Sequence, residues 1–303
     1  MARRALVLGG GGPVGIAWEA GVLLALAEGG VDLTAVDHVI GTSAGAYIGA
    51  RVALGHRPAD IAAPYAPREV SPAEGPRVSS TNGAAAGDAA NLGSLFQLIQ
   101  GAARAGRPPA EIAREVGEFA LRASTMAEDE FIARFTSTLR QNGAGAWPSR
   151  SYACTTFDAH DGSFKIWDAA DGADLACAVA ASCAVPGIFP AVTIGGRRYY
   201  DGGVLSTTNA HLARGYEVVY VLAVTEVLMR YADRTREKKT PLDRETRLLE
   251  EAGARVEIIA MDFDALQVVG PNIMDRAQQP LALQEGLRQG RAEVARLAAA
   301  TPS

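Results

Sequence analysis

A chain of 303 residues, 48% of them hydrophobic, can bury a large core, either as one large α/β domain or as two smaller ones. Its formal net charge of -5 and isoelectric point near 5.5 argue against a nucleic-acid binder, because neutralising phosphates needs a basic surface. The three cysteines, Cys154, Cys177 and Cys183, lack Cys-x-x-Cys spacing and indicate neither a disulfide framework nor a zinc site.

The start of the chain does not have the pattern of a secretory signal. Arg3 and Arg4 precede an apolar run that meets a glycine run after only four residues, whereas a signal needs a longer apolar segment and a small-residue cleavage site. No uninterrupted apolar segment is long enough to span a bilayer. We therefore expect a cytoplasmic protein, for which peripheral contact with a membrane surface stays open.

Strands and helices alternate along the first part of the chain. The predicted order is a buried strand at 5–8, a tight glycine loop at 9–12, a helix at 15–28, a second strand at 36–40 and a second helix at 43–54. This alternation predicts an α/β fold in which helices cover both faces of a mostly parallel sheet.

The rest of the chain is more varied but fits one domain over residues 1–303. Residues 64–91, rich in Pro, Gly, Ala and Ser, predict a long loop, and helical periodicity returns at 92–103 and 110–139. These segments form a loop and helical excursion at about 64–142. Further predictions are a hairpin at 152–157 and 164–167, a helix at 175–183, strands at 217–224 and 256–261, a closing helix at 281–300, and a solvated charged excursion at 230–247.

The most informative residue is Ser43, in the sequence Gly41-Thr42-Ser43-Ala44-Gly45. It lies between a predicted strand and a predicted helix, which is the context of a nucleophile elbow. The flanking glycines are needed because a serine held on a strained turn leaves no room for neighbouring side chains. The alternative is a glycine-rich turn with a solvated serine, but the flanking elements favour a nucleophile.

The first glycine loop has two interpretations. Residues 10–15 satisfy the dinucleotide pattern Gly-x-Gly-x-x-Gly between a strand and a helix. However, the acidic residues that could bind a ribose, Asp32 and Asp37, precede or begin the second strand, whereas the ribose-binding acid belongs at its far end. We favour the other interpretation, in which the N–H groups of Gly10, Gly11 and Gly12 form an oxyanion hole.

A serine nucleophile also needs a base, and the sequence offers histidines and one well-placed aspartate. His38, His56 and His160 each have a structural explanation, and only His211 stays open as a candidate. Asp201 follows a β-like run and precedes Gly202 and Gly203, so a carboxylate is presented on a glycine turn. On its own this pattern is also typical of an ordinary hairpin turn.

Taken together, four segments resemble the patatin-like phospholipases. They are Gly10-Gly11-Gly12-x-x-Gly15 followed by Gly21-Val22-Leu23, then Gly41-Thr42-Ser43-Ala44-Gly45, then Ala181-Ser182-x-Ala184-x-Pro186-x-x-Phe189-Pro190, and Asp201-Gly202-Gly203. The resemblance covers about residues 5–224 and implies a three-layer α/β/α fold with a mostly parallel central sheet. It also implies a catalytic Ser-Asp dyad, Ser43 with Asp201, so that no histidine, metal or cofactor is required.

This resemblance predicts a serine acyl hydrolase of lipids or other acyl esters, acting through an acyl-enzyme. The sequence departs from the family at Val14, where a basic residue is usual, which weakens the case for a charged phosphate headgroup and leaves a more neutral ester open. Two alternatives remain: a nucleotide-binding protein that uses the glycine loop, and a non-catalytic protein on a hydrolase fold.

Overall fold

Short apolar segments of the chain assemble into one mixed sheet. The computed structural model describes residues 2–67, 86–140, 145–231 and 239–300, and the sheet within them has eight strands. In chain order they are β1 (Arg4–Leu8), β2 (His38–Gly41), β3 (Ser151–Asp158), β4 (Phe164–Trp167), β5 (Val192–Ile194), β6 (Arg197–Asp201), β7 (Val218–Ala223) and β8 (Arg255–Ala260).

The central strands are parallel and the strands at one side are antiparallel. The order across the sheet is β5-β6-β3-β2-β1-β7-β8, with β4 paired to β3. Parallel pairing joins β3, β2, β1, β7 and β8, whereas β6 and β4 run antiparallel to β3 and β5 runs antiparallel to β6. The carboxyl ends of β1 and β2 therefore open on the same edge of the sheet, which is where ligands bind in parallel α/β folds.

Helices fill the connections between strands. They are α1 (Gly12–Glu28), α2 (Ala44–Ala53), α3 (Pro58–Ala62), α4 (Ala86–Arg104), α5 (Pro109–Arg122), α6 (Glu128–Leu139), α7 (Leu175–Ser182), α8 (Glu226–Tyr231), α9 (Pro241–Glu251), α10 (Phe263–Val269) and α11 (Gln279–Ala300). None of the helices in the described ranges is long and apolar enough to cross a bilayer.

The side chains of β1 divide between the two faces of the sheet, as strand geometry requires. Leu6 and Leu8 belong to the larger core, which contains residues of α1, α2, α7 and α11. Ala5 and Val7 belong to a second core with Leu242 of α9 and residues of the short turn at 210–213. The expected three-layer α/β/α arrangement with a mostly parallel sheet is therefore confirmed.

The excursion predicted at about 64–142 contains three helices. Within it, residues 68–85 and 141–142 lie outside the described residues. Helix α4 already begins at residue 86, inside the predicted loop, and the single periodic stretch at 110–139 forms two helices, α5 and α6, with a break at 123–127. Helix α5 places Ile112 and Val116 against Phe157 and Tyr200 in a third core, so its apolar stripe packs inward. Whether this excursion and the sheet form one domain over 1–303 stays a prediction.

The prediction of a solvated charged excursion at 230–247 is wrong for part of its length. Residues 232–238 lie outside the described residues, but α9 begins at Pro241, and its Leu242 and Leu249 pack in one core with residues of β1 and β7. Within α9, Leu242 and the charged Glu245 are both buried. The pattern of charges was misleading because some of these polar residues stabilise the fold. Thr240 and Asp243 form a capping box, and the Glu245 carboxylate accepts from the backbone N–H of Ala210.

Helix α1 buries a carboxyl group, that of Glu19, with 0% of the residue exposed. Neither carboxylate oxygen has a hydrogen-bond partner among the described residues. Burial raises the pKa of Glu19 well above its ordinary value and outweighs the opposite effect of the nearby backbone N–H of Gly9, which donates to the Leu222 carbonyl. Burial therefore favours the neutral form of this carboxyl.

We expect Glu19→Met to increase the free energy of unfolding at pH 8 by about 1–3 kcal/mol, because a flexible apolar side chain of similar length removes a buried ionisable group. Since the folded pKa is raised, wild type loses stability as pH rises above the unfolded value near 4.5. The gain in the variant should therefore shrink toward pH 4.5 in urea titrations. A loss of stability at every pH would contradict this account.

Candidate active site

Ser43 occupies a strained turn between β2 and α2. Its backbone angles are φ 55° and ψ -119°, and it is one of two non-glycine residues with positive φ in the described part of the chain. A Cβ at Gly41 would lie 2.4 Å from the Ala46 Cα, and one at Gly45 would lie 2.1 Å from the Leu8 carbonyl oxygen. The pentapeptide therefore needs glycine at both positions, as the sequence predicts.

Helix α7 holds the backbone of Ser43 from a distant part of the chain. The N–H of Ser43 donates to Ser182 Oγ at 3.0 Å, and Cys183 Sγ donates to the Ser43 carbonyl at 3.0 Å. Ser43 itself is 8% exposed. The strained conformation is thus secured by hydrogen bonds on both sides of the residue, in keeping with the rule that such strain persists only where its surroundings fix it.

Asp201, at the end of β6, approaches Ser43 from another strand of the sheet. In the antiparallel pair it lies opposite Thr156 of β3, and its N–H donates to the Ala184 carbonyl at 3.1 Å. A Cβ at the next residue, Gly202, would lie 2.4 Å from Thr155 Oγ1, so only glycine allows the chain to turn here against β3. The structure therefore brings Ser43 and Asp201 together, although the two residues lie 158 positions apart in the sequence, at 43 and 201.

The environment of Asp201 changes its acidity. The residue is 5% exposed, and burial raises the pKa of its carboxyl from 3.8 to about 7. Hydrogen bonds from the Ser43 hydroxyl and from the N–H of Gly203, the latter at 2.8 Å to Oδ1, act in the opposite direction. A carboxylate with this pKa is a stronger base than one in water and suits proton transfer near neutral pH.

The glycine loop lies beside Ser43, but its three N–H groups are not equivalent. A Cβ at Gly10 would lie 3.3 Å from the Ser43 Cβ, which places this loop against Ser43. The N–H of Gly10 is already donated to the Thr207 carbonyl at 2.7 Å. The N–H groups of Gly11 and Gly12 have no acceptor among the described residues, so these two are the donors open to an oxyanion.

The residues that could have bound a ribose or served as a histidine base lie away from the site. Asp37 accepts from the Arg4 N–H at 2.6 Å and Asp32 from the Thr34 N–H at 2.8 Å, both before β2 rather than at its carboxyl end. His211, the open histidine, contacts Glu245 at 3.1 Å instead of Ser43. Neither of these two aspartates therefore lies where the dinucleotide pattern needs its ribose-binding acid.

Sequence reasoning missed several residues that support the site. Ser182 is part of the family resemblance only as a motif residue, and the spacing of Cys183 indicates no function, yet both hydrogen-bond the Ser43 backbone. Asn209 is not among the predicted site residues, yet it has a left-handed backbone and its buried amide lies next to Gly202 and Thr42. An isolated polar residue in a small-residue loop gives no periodic or spacing signal by which it could be found.

Comparison with known proteins gives a family match. A model of the family described as patatin-like phospholipase matches residues 6–214. A comparison with curated proteins gives no match.

Solved structures of low similarity also align with the chain. VipD from Legionella pneumophila aligns with a TM-score of 0.45 and 14% identity, over 98% of this chain and 67% of VipD. The type III effector ExoU aligns with a TM-score of 0.43 and 15% identity, over 97% of this chain and 53% of ExoU. The ExoU-SpcU complex from Pseudomonas aeruginosa aligns with a TM-score of 0.39 and 18% identity, over 97% of this chain and 52% of the matched chain.

We expect Asp201→Asn to stabilise the fold at pH 8 by about 2–4 kcal/mol, because it replaces a buried charge and keeps an acceptor for the Gly203 N–H. The folded pKa is raised, so the gain should grow between about pH 4 and pH 7 and stay constant above. Urea titrations across this range measure it. Asp158→Asn, at an equally buried aspartate paired with Arg197, is the matched control and should lose stability. Destabilisation by Asp201→Asn at pH 8 would contradict the assignment of a raised pKa.

Proposed function

The chain belongs to the patatin-like phospholipase family, and on this premise we propose that it is a serine acyl hydrolase that cleaves acyl esters of lipids. Ser43 would be the nucleophile and Asp201 the base. The observation that supports this most directly is the meeting of a strained, buried serine with a buried aspartate of raised pKa.

The first half of the reaction would form an acyl-enzyme. Asp201 takes the proton of the Ser43 hydroxyl as its Oγ attacks the carbonyl carbon of the ester. The negative charge that develops on the carbonyl oxygen is stabilised by the N–H groups of Gly11 and Gly12, at the positive end of helix α1. Asp201, now protonated, returns that proton to the leaving alcohol as the tetrahedral intermediate collapses.

The second half would release the fatty acid. Water attacks the acyl-enzyme carbonyl while Asp201 accepts its proton, and the same two glycines again stabilise the oxyanion. The proton then passes to Ser43 Oγ as the acyl–oxygen bond breaks, so the free enzyme is restored. A base with a pKa of about 7 suits both directions of this transfer, because it can hold or release the proton near neutral pH.

The loop provides no positive charge for a headgroup at the usual position. Val14 is fully buried in the larger core, and its N–H donates to the Ile273 carbonyl at 3.1 Å. A phosphate would therefore find no cation at this point of the site, and we propose a preference for neutral acyl esters over charged headgroups. A panel of phospholipids, lysophospholipids, glycerides and simple esters would test it.

Contact with a lipid surface is a further part of this proposal. Phe96 of α4 and Leu121 of α5 are 52% and 38% exposed, although most apolar residues of these helices pack inward. Aromatic and aliphatic side chains on one excursion can insert at the boundary between lipid headgroups and acyl chains. This contact would be reversible and would bring ester bonds to the site.

We expect Ser43→Ala to abolish both hydrolysis of a short acyl ester and labelling by a fluorophosphonate probe, because it removes the attacking oxygen. The fall in kcat should be about 10⁶-fold, as for other nucleophile deletions. Peptide mapping of the labelled wild type should place the probe on Ser43. Ser163→Ala, at an exposed hairpin serine, is the control and should behave as wild type. Labelling elsewhere, or turnover by Ser43→Ala, would reject the nucleophile.

We expect kcat/KM to fall below about pH 7, because only the ionised Asp201 can accept the serine proton. Asp201→Asn should lower kcat by about 10²–10⁴-fold and remove this limb of the pH profile. Steady-state rates between pH 5 and pH 9 measure both effects, within the range in which unfolding titrations show intact protein. A limb that persists in Asp201→Asn would mean that another group is the base.

A further inference from the structure

The loop that follows Asp201 returns to the site at Asn209. This residue is 4% exposed and is the second non-glycine residue with positive φ, at 51° with ψ 35°. Asparagine adopts this left-handed conformation more readily than most residues. The backbone turn therefore points a short amide side chain back into the protein, toward the ends of β2 and β6.

The amide of Asn209 connects the two sides of the proposed catalytic pair. Its Nδ2 lies 3.1 Å from Thr42 Oγ1, one residue before Ser43, and 3.2 Å from the Gly202 carbonyl oxygen, one residue after Asp201. It also lies 3.0 Å from the Ser206 carbonyl oxygen and 3.4 Å from Thr155 Oγ1. Carbonyl oxygens can only accept, so this position requires a donor and the orientation of the amide is fixed.

The same loop also fixes the glycine loop beside the nucleophile. The Thr207 carbonyl accepts the Gly10 N–H at 2.7 Å, and Thr207 Oγ1 accepts from Thr225 Oγ1 at 2.8 Å. Residues 206–209 therefore contact all three parts of the proposed machinery: the turn of the nucleophile, the turn of the base and the loop of the oxyanion donors. We call residues 206–209 the clamp.

A buried carboxylate anchors the far side of the clamp. Glu245 of α9 accepts from Thr208 Oγ1 and from the Ala210 N–H, each at 2.8 Å, and contacts His211 Nδ1 at 3.1 Å. Burial opposes ionisation of Glu245, but its hydrogen bonds lower the pKa overall. An ionised group buried with this many donors is held in one geometry, which makes the clamp a rigid support.

We propose that Asn209 is a positioning residue that sets the separation between the Ser43 hydroxyl and the Asp201 carboxylate. It does so through the Nδ2 hydrogen bonds to Thr42 and Gly202, and it does not touch substrate. This inference rests on the proposed hydrolase function. It extends that function by assigning the distance between nucleophile and base to a residue outside the pair.

The substitution that best tests this is Asn209→Asp, which keeps the shape of the side chain. A carboxylate oxygen would replace Nδ2 opposite the carbonyl oxygens of Gly202 and Ser206, so attraction becomes repulsion. A negative charge at the Gly202 carbonyl, which directly follows Asp201 in the chain, should also raise the pKa of Asp201 further. Asn209→Ala removes the donors without adding a charge.

The charged and titratable groups around the clamp are few among the described residues. Cys183 and Tyr200 interact with Asp201, and burial raises the pKa of both, so they stay neutral at pH 7. Glu245 and His211 lie on the other side of the clamp, beyond Thr208 and Ala210. A shift of the acid limb in Asn209→Asp would thus report on the new carboxylate beside Asp201.

The experiment measures kcat, KM and the pH profile of hydrolysis of a short acyl ester by wild type, Asn209→Asp and Asn209→Ala. We expect kcat to fall by about 10–100-fold in both variants with KM changed by less than about 2-fold, because misplacement of reacting groups by an ångström costs rates of this order. The acid limb should move up by about one pH unit in Asn209→Asp and should move little in Asn209→Ala.

Gln289→Glu is the matched control for a purely structural effect. Gln289 is also a buried amide whose Nε2 donates to a carbonyl, that of Ala260 at 2.9 Å, but it lies on α11 beside Trp18 and Asp262. It should lose stability in urea titrations while kcat and the pH limb stay as in wild type. This separates loss of stability from loss of alignment.

Two results would overturn the inference. One is unchanged kcat in folded Asn209→Asp and Asn209→Ala. The other is a loss of kcat in Gln289→Glu as large as in the Asn209 variants at equal loss of stability, which would make the effect one of folding. Failure of the proposed function is a separate result, because then wild type itself would neither hydrolyse the ester nor be labelled at Ser43 by the fluorophosphonate probe.

Discussion

The site depends on a carboxyl group being kept out of water beside a serine hydroxyl. Asp201 would be a poor base in solvent, and burial at the end of β6 raises its pKa to about 7. Two hydrogen bonds, from Ser43 and from Gly203, prevent a larger rise. The balance between these opposing effects leaves a group that can gain and lose a proton near neutral pH.

Close backbone approaches make that burial possible. Gly45 packs against the Leu8 carbonyl, and Gly202 packs against Thr155, each where a Cβ would overlap protein atoms. These contacts hold the turns at Ser43 and Asp201 against β1 and β3. The glycines therefore have a packing function as well as a conformational one, and the strain at Ser43 is stabilised by the contacts around it.

The support for the site comes from segments that are far apart in sequence. Helix α7 holds the Ser43 backbone through Ser182 and Cys183, while Glu245 of α9 secures the clamp at residues 206–209. Each support lies on an element that packs on the sheet, so the positions of the hydrogen-bonding groups follow from the packing of the core. Side chains fixed in this way are pre-organised, as the proposed hydrolase function requires.

The sequence alone determined the alternation of strands and helices, the turn at Ser43 and the glycine turn at Asp201, because each leaves a local pattern of apolar periodicity or glycine spacing. Only the tertiary structure decided three further features. The Gly10 N–H donates to the Thr207 carbonyl, Glu245 is buried, and the Asn209 amide donates to Thr42 and Gly202. These contacts join residues far apart in the chain, and such contacts depend on how strands are ordered in the sheet. A hydrogen bond between distant segments leaves no periodicity in either segment, so no local pattern records it.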